Sequence, residues 1–226
     1  MVTSDILCRT FRIKYGSNLA TAFTIESEGL QYIVTAKHLF NNVQSGNSVS
    51  VSILNSRQYV RVNAVVFFHL DDKTDCAVLK TSPYIEVTGK YSNENTLEGL
   101  TLGQDVFFLG YPYNYDDILS CFPQSHNPVP FVKKACFSGS SDSMGVLFLD
   151  GTNNPGFSGG PVCFREPNTN GFKIAGLINS YRNNKCPVFS GDGEETEFYT
   201  LENTGIINAC SIHRVYEILE QNNHLL

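Results

Sequence analysis

Apolar residues along this 226-residue chain come in short runs rather than long ones. The runs are LCRTFRIKY at 7–15, ATAFTIE at 20–26, LQYIVTA at 30–36, QYVRVNAVVFFHL at 58–70, CAVLK at 76–80, VFFLG at 106–110, FVKKACF at 131–137, GVLFLD at 145–150, PVCF at 161–164 and FKIAGLINSY at 172–181. Each is rich in Val, Ile, Phe, Tyr or Thr, and most close on Gly, Pro, Asn, Asp or Ser, which is how strands and turns alternate in barrels and sandwiches. The pattern predicts an all-β protein. Between Thr81 and Gly103 the apolar density falls and Asn, Glu, Gly and Thr accumulate, as in a connector, which divides the strands into two comparable sets. Helical spacing shows only near the end, where Ser211 is placed to cap SIHRVYEILEQ. There Ile212, Val215, Tyr216, Ile218 and Leu219 form an apolar stripe expected to pack on the second set.

Composition narrows the class. Apolar residues at 42% and charged residues at 17% are ordinary for a globular protein. No stretch nears the roughly 20 apolar residues of a membrane helix, so no membrane partner is expected. A net charge of −6 disfavours a nucleic-acid partner, because phosphate binding needs clustered cations, and the basic pair Lys133-Lys134 reads as part of a solvated loop. The opening MVTSDILCRTFRIKYG lacks the basic start, apolar run and small-residue cleavage site of an export signal. Seven cysteines, odd in number and without a CxxC pair, fit reduced thiols, and the expected setting is cytoplasmic.

The segment Asn154-Pro155-Gly156-Phe157-Ser158-Gly159-Gly160-Pro161-Val162 carries the most chemistry. Attack on an amide carbonyl needs an exposed hydroxyl beside backbone N–H donors, and glycines flanking a serine allow both: Gly156 can aim its N–H, with that of Ser158, at a developing oxyanion. A plain glycine turn between two strands is the competing reading. A serine hydroxyl also needs a general base. His69 lies in an apolar run, His126 in a proline-bordered loop, His213 in the terminal helix and His224 at the chain end. His38 directly follows the strand YIVTA and so stands at the end of a rigid element. Asp75, immediately before CAVLK, is the carboxylate best placed to orient it, whereas Asp71 and Asp72 sit with Lys73 and Thr74 in what reads as a solvated turn.

These residues resemble the chymotrypsin-like serine peptidases. Thr35-Ala36-Lys37-His38 looks like the T-A-x-H motif, Asp75-Cys76-Ala77-Val78-Leu79 like D-x-A-x-L, and Gly156-Phe157-Ser158-Gly159-Gly160-Pro161 like G-x-S-G-G-P, in the same His, Asp, Ser order. Leu109-Gly110-Tyr111-Pro112 and Asn154-Pro155-Gly156 resemble the bacterial HtrA-type branch, with no length left for a following PDZ domain. The resemblance implies two six-stranded antiparallel barrels, one over 1–90 and one over 91–226 with the terminal helix, and a cleft between them. Implied roles are His38, Asp75 and Ser158 as the triad and Gly156 with Ser158 as the oxyanion hole. Thr152 falls at the base of the implied substrate pocket, Ile178, Asn179 and Ser180 on one wall and Gly205 on the other. Without a carboxylate at the base, a small or medium uncharged residue is expected at the cleavage position. Phe157 stands where secreted digestive members carry the aspartate that binds a new amino terminus, and Leu39 replaces a disulfide cysteine. Activation by such a cut is therefore not expected.

The expected activity is peptide-bond hydrolysis on a peptide or protein substrate, with no cofactor and no metal. A regulatory protein partner or a homo-oligomer stays open. The alternatives are a catalytically silent scaffold that binds proteins and a cysteine hydrolase using Cys163 or Cys76. The stretch from Tyr111 to Met144, with Pro112, Pro123, Pro128 and Pro130, reads as a long loop and a candidate for ordering before the oxyanion hole forms. The acidic stretch 191–197 reads as a solvated loop or as an attractor of basic substrate segments.

Overall fold

The computed structural model describes residues 2–85, 95–117, 120, 121, 127–167, 169 and 171–223. After a short α1 (Ser4–Cys8), six strands close the first barrel: β1 (Thr10–Tyr15), β2 (Asn18–Ser27), β3 (Leu30–Thr35), β4 (Ser48–Asn55), β5 (Gln58–Phe68) and β6 (Ala77–Thr81). The second holds β7 (Asp105–Gly110), β8 (Phe131–Ser141), β9 (Val146–Asp150), β10 (Pro161–Arg165), β11 (Phe172–Phe189) and β12 (Glu195–Ser211), followed by α2 (Ile212–Gln221). Neighbour order around the first barrel is β1-β2-β3-β6-β5-β4, and the second repeats it as β7-β8-β9-β12-β11-β10. All pairings within these barrels are antiparallel, and they close through Ile13↔Ile53 and Val162↔Phe108.

Tight hairpins set the register of the first barrel. Glu28 and Gly29, then Ser56 and Arg57, take positive φ between paired ends Ser27↔Leu30 and Asn55↔Gln58, the backbone of a type I′ turn matched to strand twist. β4 shows the alternation clearly: Val49, Val51 and Ile53 point inward while Ser48 and Ser50 face solvent. The sequence expectation leaves β4, β12 and α1 unassigned.

One apolar cluster crosses between the barrels. It joins Phe23, Val34, Phe67 and Val78 of the first to Leu109, Cys163, Ile174 and Leu177 of the second. Ile212, Val215 and Ile218 of α2 enter the same cluster, so the helix packs across both barrels rather than on the second alone. Ser211 caps it by accepting from the His213 N–H at 3.3 Å. The expected boundary at residues 90 and 91 lies outside the described residues. Among the described residues no helix is long and apolar enough to cross a membrane.

Candidate active site

His38 is set by the end of β3. The strand is pinned where the Thr35 hydroxyl donates to the Thr21 carbonyl at 2.8 Å, and the next residues form a 3₁₀ turn, Lys37–Leu39. Leu39 and Phe40 sink into the first barrel's core, which leaves the intervening His38 side chain 51% exposed. Asp75 enters from the other side, between the turn closed by Thr74 N–H on the Asp71 carbonyl and the buried strand β6. One carboxylate oxygen accepts the His38 backbone N–H at 2.9 Å and the other meets Nδ1 at 2.7 Å. A carboxylate can only accept there, so Nδ1 carries a proton and Nε2 is left facing outward as the basic atom. The Asp75 hydrogen bond holds the His38 pKa above the usual imidazole value, outweighing the burial that pulls it down.

The serine loop is shaped by close approach to the first barrel. Gly156 takes φ +102°, and a Cβ there would stand 2.4 Å from the Tyr111 carbonyl oxygen. A Cβ on Gly159 would meet the Thr21 carbonyl oxygen at 2.2 Å and the Ala36 nitrogen at 2.8 Å. Only glycine permits that approach, and it brings Ser158 beside the segment that carries His38. Thr21 fastens the contact: its N–H donates to the Ser158 carbonyl at 2.9 Å and its hydroxyl to the Gly156 carbonyl at 2.7 Å. Phe157 is fully buried, edge-on to Phe108 with ring centroids 5.0 Å apart.

Two N–H groups are left over. The Pro155 carbonyl accepts from Tyr113 N–H and the Phe157 carbonyl from Gly160 N–H. In a trans peptide the N–H points away from its C=O, so the N–H groups of Gly156 and Ser158 face the other way. Among the described residues neither donates to a protein acceptor. The Ser158 hydroxyl donates to the Asn179 carbonyl at 3.2 Å, and among the described residues no hydrogen bond joins it to His38.

Around this loop lie the expected pocket residues. Thr152 is exposed, next to Gly151, whose N–H donates to the Gly205 carbonyl at 2.8 Å. Asn179 is the bulged residue between the pairs Ile178↔Ala209 and Ser180↔Asn208, and the Ser180 hydroxyl accepts from Asn208 at 3.2 Å. Ile178 departs from the expectation: its side chain is buried in the second barrel's core, and only its backbone reaches the serine loop, through Gly159 and Gly160. Asp150 adds a carboxylate that no motif signals, 3.6 Å from where a Cβ on Gly205 would be.

Other residues the motifs do not flag hold the loop from behind. Lys133 belongs to β8 and is half-buried, not part of a solvated loop. Its ammonium donates to Asn154 Oδ1 at 2.8 Å and lies 5.7 Å from the centroid of the Phe157 ring. Burial lowers its pKa. Asn154 in turn donates to the Tyr113 hydroxyl at 2.9 Å. Lys134 does face solvent, paired with Asp105.

The competing candidates fall elsewhere. His69 is buried against Glu217 and Gln221 of α2, and His213 lies on the helix surface. His126, His224 and Pro123 lie outside the described residues. Cys76 and Cys163 are fully buried, and burial pushes both thiols well above the range in which a thiolate forms.

A sequence model described as a trypsin-like peptidase domain matches residues 20–168. No curated protein sequence matches the chain. Among solved structures it is similar to the Rv3671c protease in its inactive form, at 15% identity over 96% of this chain and 89% of that one, TM-score 0.57. It is likewise similar to Deg5, at 16% identity over 96% and 90%, TM-score 0.59. The HtrA-type protease AlgW with a tripeptide shares 19% identity over 97% of this chain, TM-score 0.59, and this chain spans 61% of AlgW's length. At such identities the likeness is one of fold. With paired six-stranded barrels and the matched span covering His38, Asp75 and Ser158, the chain belongs to the trypsin-like peptidase family.

Proposed function

We propose that this chain is a serine endopeptidase in which Ser158 is the nucleophile, His38 the general base and Asp75 the group that orients it. The observation that carries the reading is the double grip of Asp75 on His38, at 2.9 Å and 2.7 Å, which fixes a neutral imidazole with its Nε2 free to take a proton. The Ser158 hydroxyl leaves the Asn179 carbonyl by rotation about its Cα–Cβ bond when substrate binds, a change in keeping with the loose contacts of unliganded active sites. Oxygen then attacks the peptide carbonyl while His38 takes the proton and later returns it to the leaving amine. Water hydrolyses the acyl-enzyme by the same base. The free N–H groups of Gly156 and Ser158 stabilise the oxyanion, where charge develops.

Ser158→Ala lowers kcat by about a million-fold in a steady-state peptide assay, judging from nucleophile removal in another serine protease. A silent binding scaffold is the second reading, favoured by the hydroxyl's bond to Asn179 in place of His38. Covalent labelling of wild-type Ser158 by a fluorophosphonate separates the two, since only an activated hydroxyl reacts. An unlabelled serine in a folded protein rejects the peptidase reading.

A further inference from the structure

The strands that wall the pocket do not stop at the barrel. β10 parts from β11 at Pro161↔Leu177 and β9 from β12 at Ile206↔Asp150, while β11 and β12 stay paired with each other from Asn183↔Asn203 out to Phe189↔Glu195. Residues 181–205 thus form a two-stranded arm that grows directly from Ser180 and Gly205. Its base is tied to the pocket: Asn203 donates to the Asn153 carbonyl at 3.0 Å, and the Thr204 hydroxyl to the Arg182 carbonyl at 2.8 Å. The arm carries Asp192, Glu194, Glu195, Glu197 and Glu202 against Arg182 and Lys185, a net of −3 out of the chain's −6. It also exposes Phe189, Phe198, Tyr199 and Leu201, each more than half accessible. A lone ribbon gains little from displaying large apolar side chains, and a cluster of them marks a contact surface.

We propose that this arm docks the substrate itself, seating an extended basic stretch of polypeptide on the amino-terminal side of the cleaved bond. The proposal rests on Ser158 being the nucleophile and names the substrate class that reaches it. β11 runs from the barrel past Asn179, whose carbonyl touches the Ser158 hydroxyl, toward the arm tip. A polypeptide that adds antiparallel to the edge vacated by β10 therefore runs from the tip toward Ser158 and arrives there with its carboxyl-terminal end. The residues before the cleaved bond lie along the arm. The carboxylates near the tip attract cationic side chains, while Tyr199 and Leu201, which share a face with Pro187 and Lys185, receive apolar ones. Lys185, whose ammonium rests 4.4 Å from the Tyr199 ring centroid, is one positive charge against the five carboxylates of the arm.

The test uses two peptides identical around the cleaved bond and carrying either Lys and Arg or Glu at roughly four to nine residues upstream, the reach of one strand along the arm. For the wild-type chain, kcat/KM favours the basic tail by about tenfold at low ionic strength and less as salt rises. The triple variant Glu194→Lys, Glu195→Lys, Glu197→Lys erases or inverts that preference, and Phe198→Ser with Leu201→Ser weakens both peptides. Fluorophosphonate labelling of Ser158 stays at the wild-type rate in every variant, because the substituted side chains are exposed and remote from the loop. Equal cleavage of both tails by wild type, or an unchanged preference in the triple variant, overturns the proposal. So does an arm-dependent dimer in sedimentation, which would make the arm a contact between copies of this chain. If wild-type Ser158 takes no label, peptide binding to Ser158→Ala protein by calorimetry still reads the tail preference, so failure of the arm and failure of the nucleophile are told apart.

Discussion

The first barrel presents His38 and Asp75 beside strand ends, locked by buried neighbours, whereas the second presents Ser158 from a glycine-bearing loop that borrows its supports. Both barrels share one strand order, so the difference lies in the connections. On the first side, Leu39, Phe40 and β6 fix the polar pair through the core that folds the barrel. On the second, the loop from Asn154 to Gly160 leans on Thr21 of the opposite barrel, on Tyr113 beyond β7 and on Lys133 of β8. His38 and Asp75 are built in; Ser158 and the free N–H groups beside it are propped.

The comparison breaks most visibly at Asp75. Asp75→Asn presents an amide where a carboxylate fixed the His38 tautomer, and kcat falls by about 10⁴ while the fold persists. Its pH profile sharpens the point. Only neutral His38 accepts a proton, so kcat/KM falls as pH drops through the His38 pKa. Asp75 raises that pKa, so the acid limb of the wild type lies above the ordinary histidine value of about 6.5. In Asp75→Asn the limb moves to lower pH. A limb that stays fixed separates His38 from the rate.

Much of the first barrel and of its polar pair was legible in the sequence because both are written locally. Short, dense apolar runs mark β2, β3 and β6, and the motifs that carry His38 and Asp75 are contiguous with β3 and β6. β4 escaped because its outward positions are serines, which dilute SVSVSILN below the density of its neighbours. β12 escaped because its outer half lies in the arm, buries nothing and so carries no alternation. The supports of the serine loop were illegible for a different reason. Thr21 and Gly156 are 135 residues apart, and nothing in ATAFTIE tells that one threonine faces another barrel. Lys133 differs from its expectation because a lysine doublet signals solvent, while the pleat sends one of the two inward.

Thr21→Val tests the bridge between barrels with almost no change of shape. The valine cannot donate to the Gly156 carbonyl or accept the Tyr111 N–H, which the threonine hydroxyl does at 2.7 Å and 3.2 Å. Leaving buried partners unpaired costs about 1–3 kcal/mol of stability, measured by chemical denaturation. A loop displaced by as little as an ångström also lowers kcat, by about a hundredfold. Stability lost with kcat unchanged would mean that the loop holds its own geometry.

The smallest effect is expected at Lys133, where the support is a single donor rather than a strand. Lys133→Met keeps the length of the side chain and its packing over Phe157 but removes the hydrogen bond to Asn154. Among the described residues the Asn154 side chain then keeps its hydrogen bond to Tyr113 alone, and the Gly156 N–H two residues on is less firmly aimed. In the proposed mechanism that N–H acts on charge present only in the transition state, so the loss falls on kcat, about tenfold, with KM nearly unchanged. Lys133→Arg retains a cationic donor and restores part of the rate. A variant that raises KM instead, or an arginine that rescues nothing, assigns Lys133 to substrate binding or to bulk packing, and the second barrel's loop would then stand without its prop.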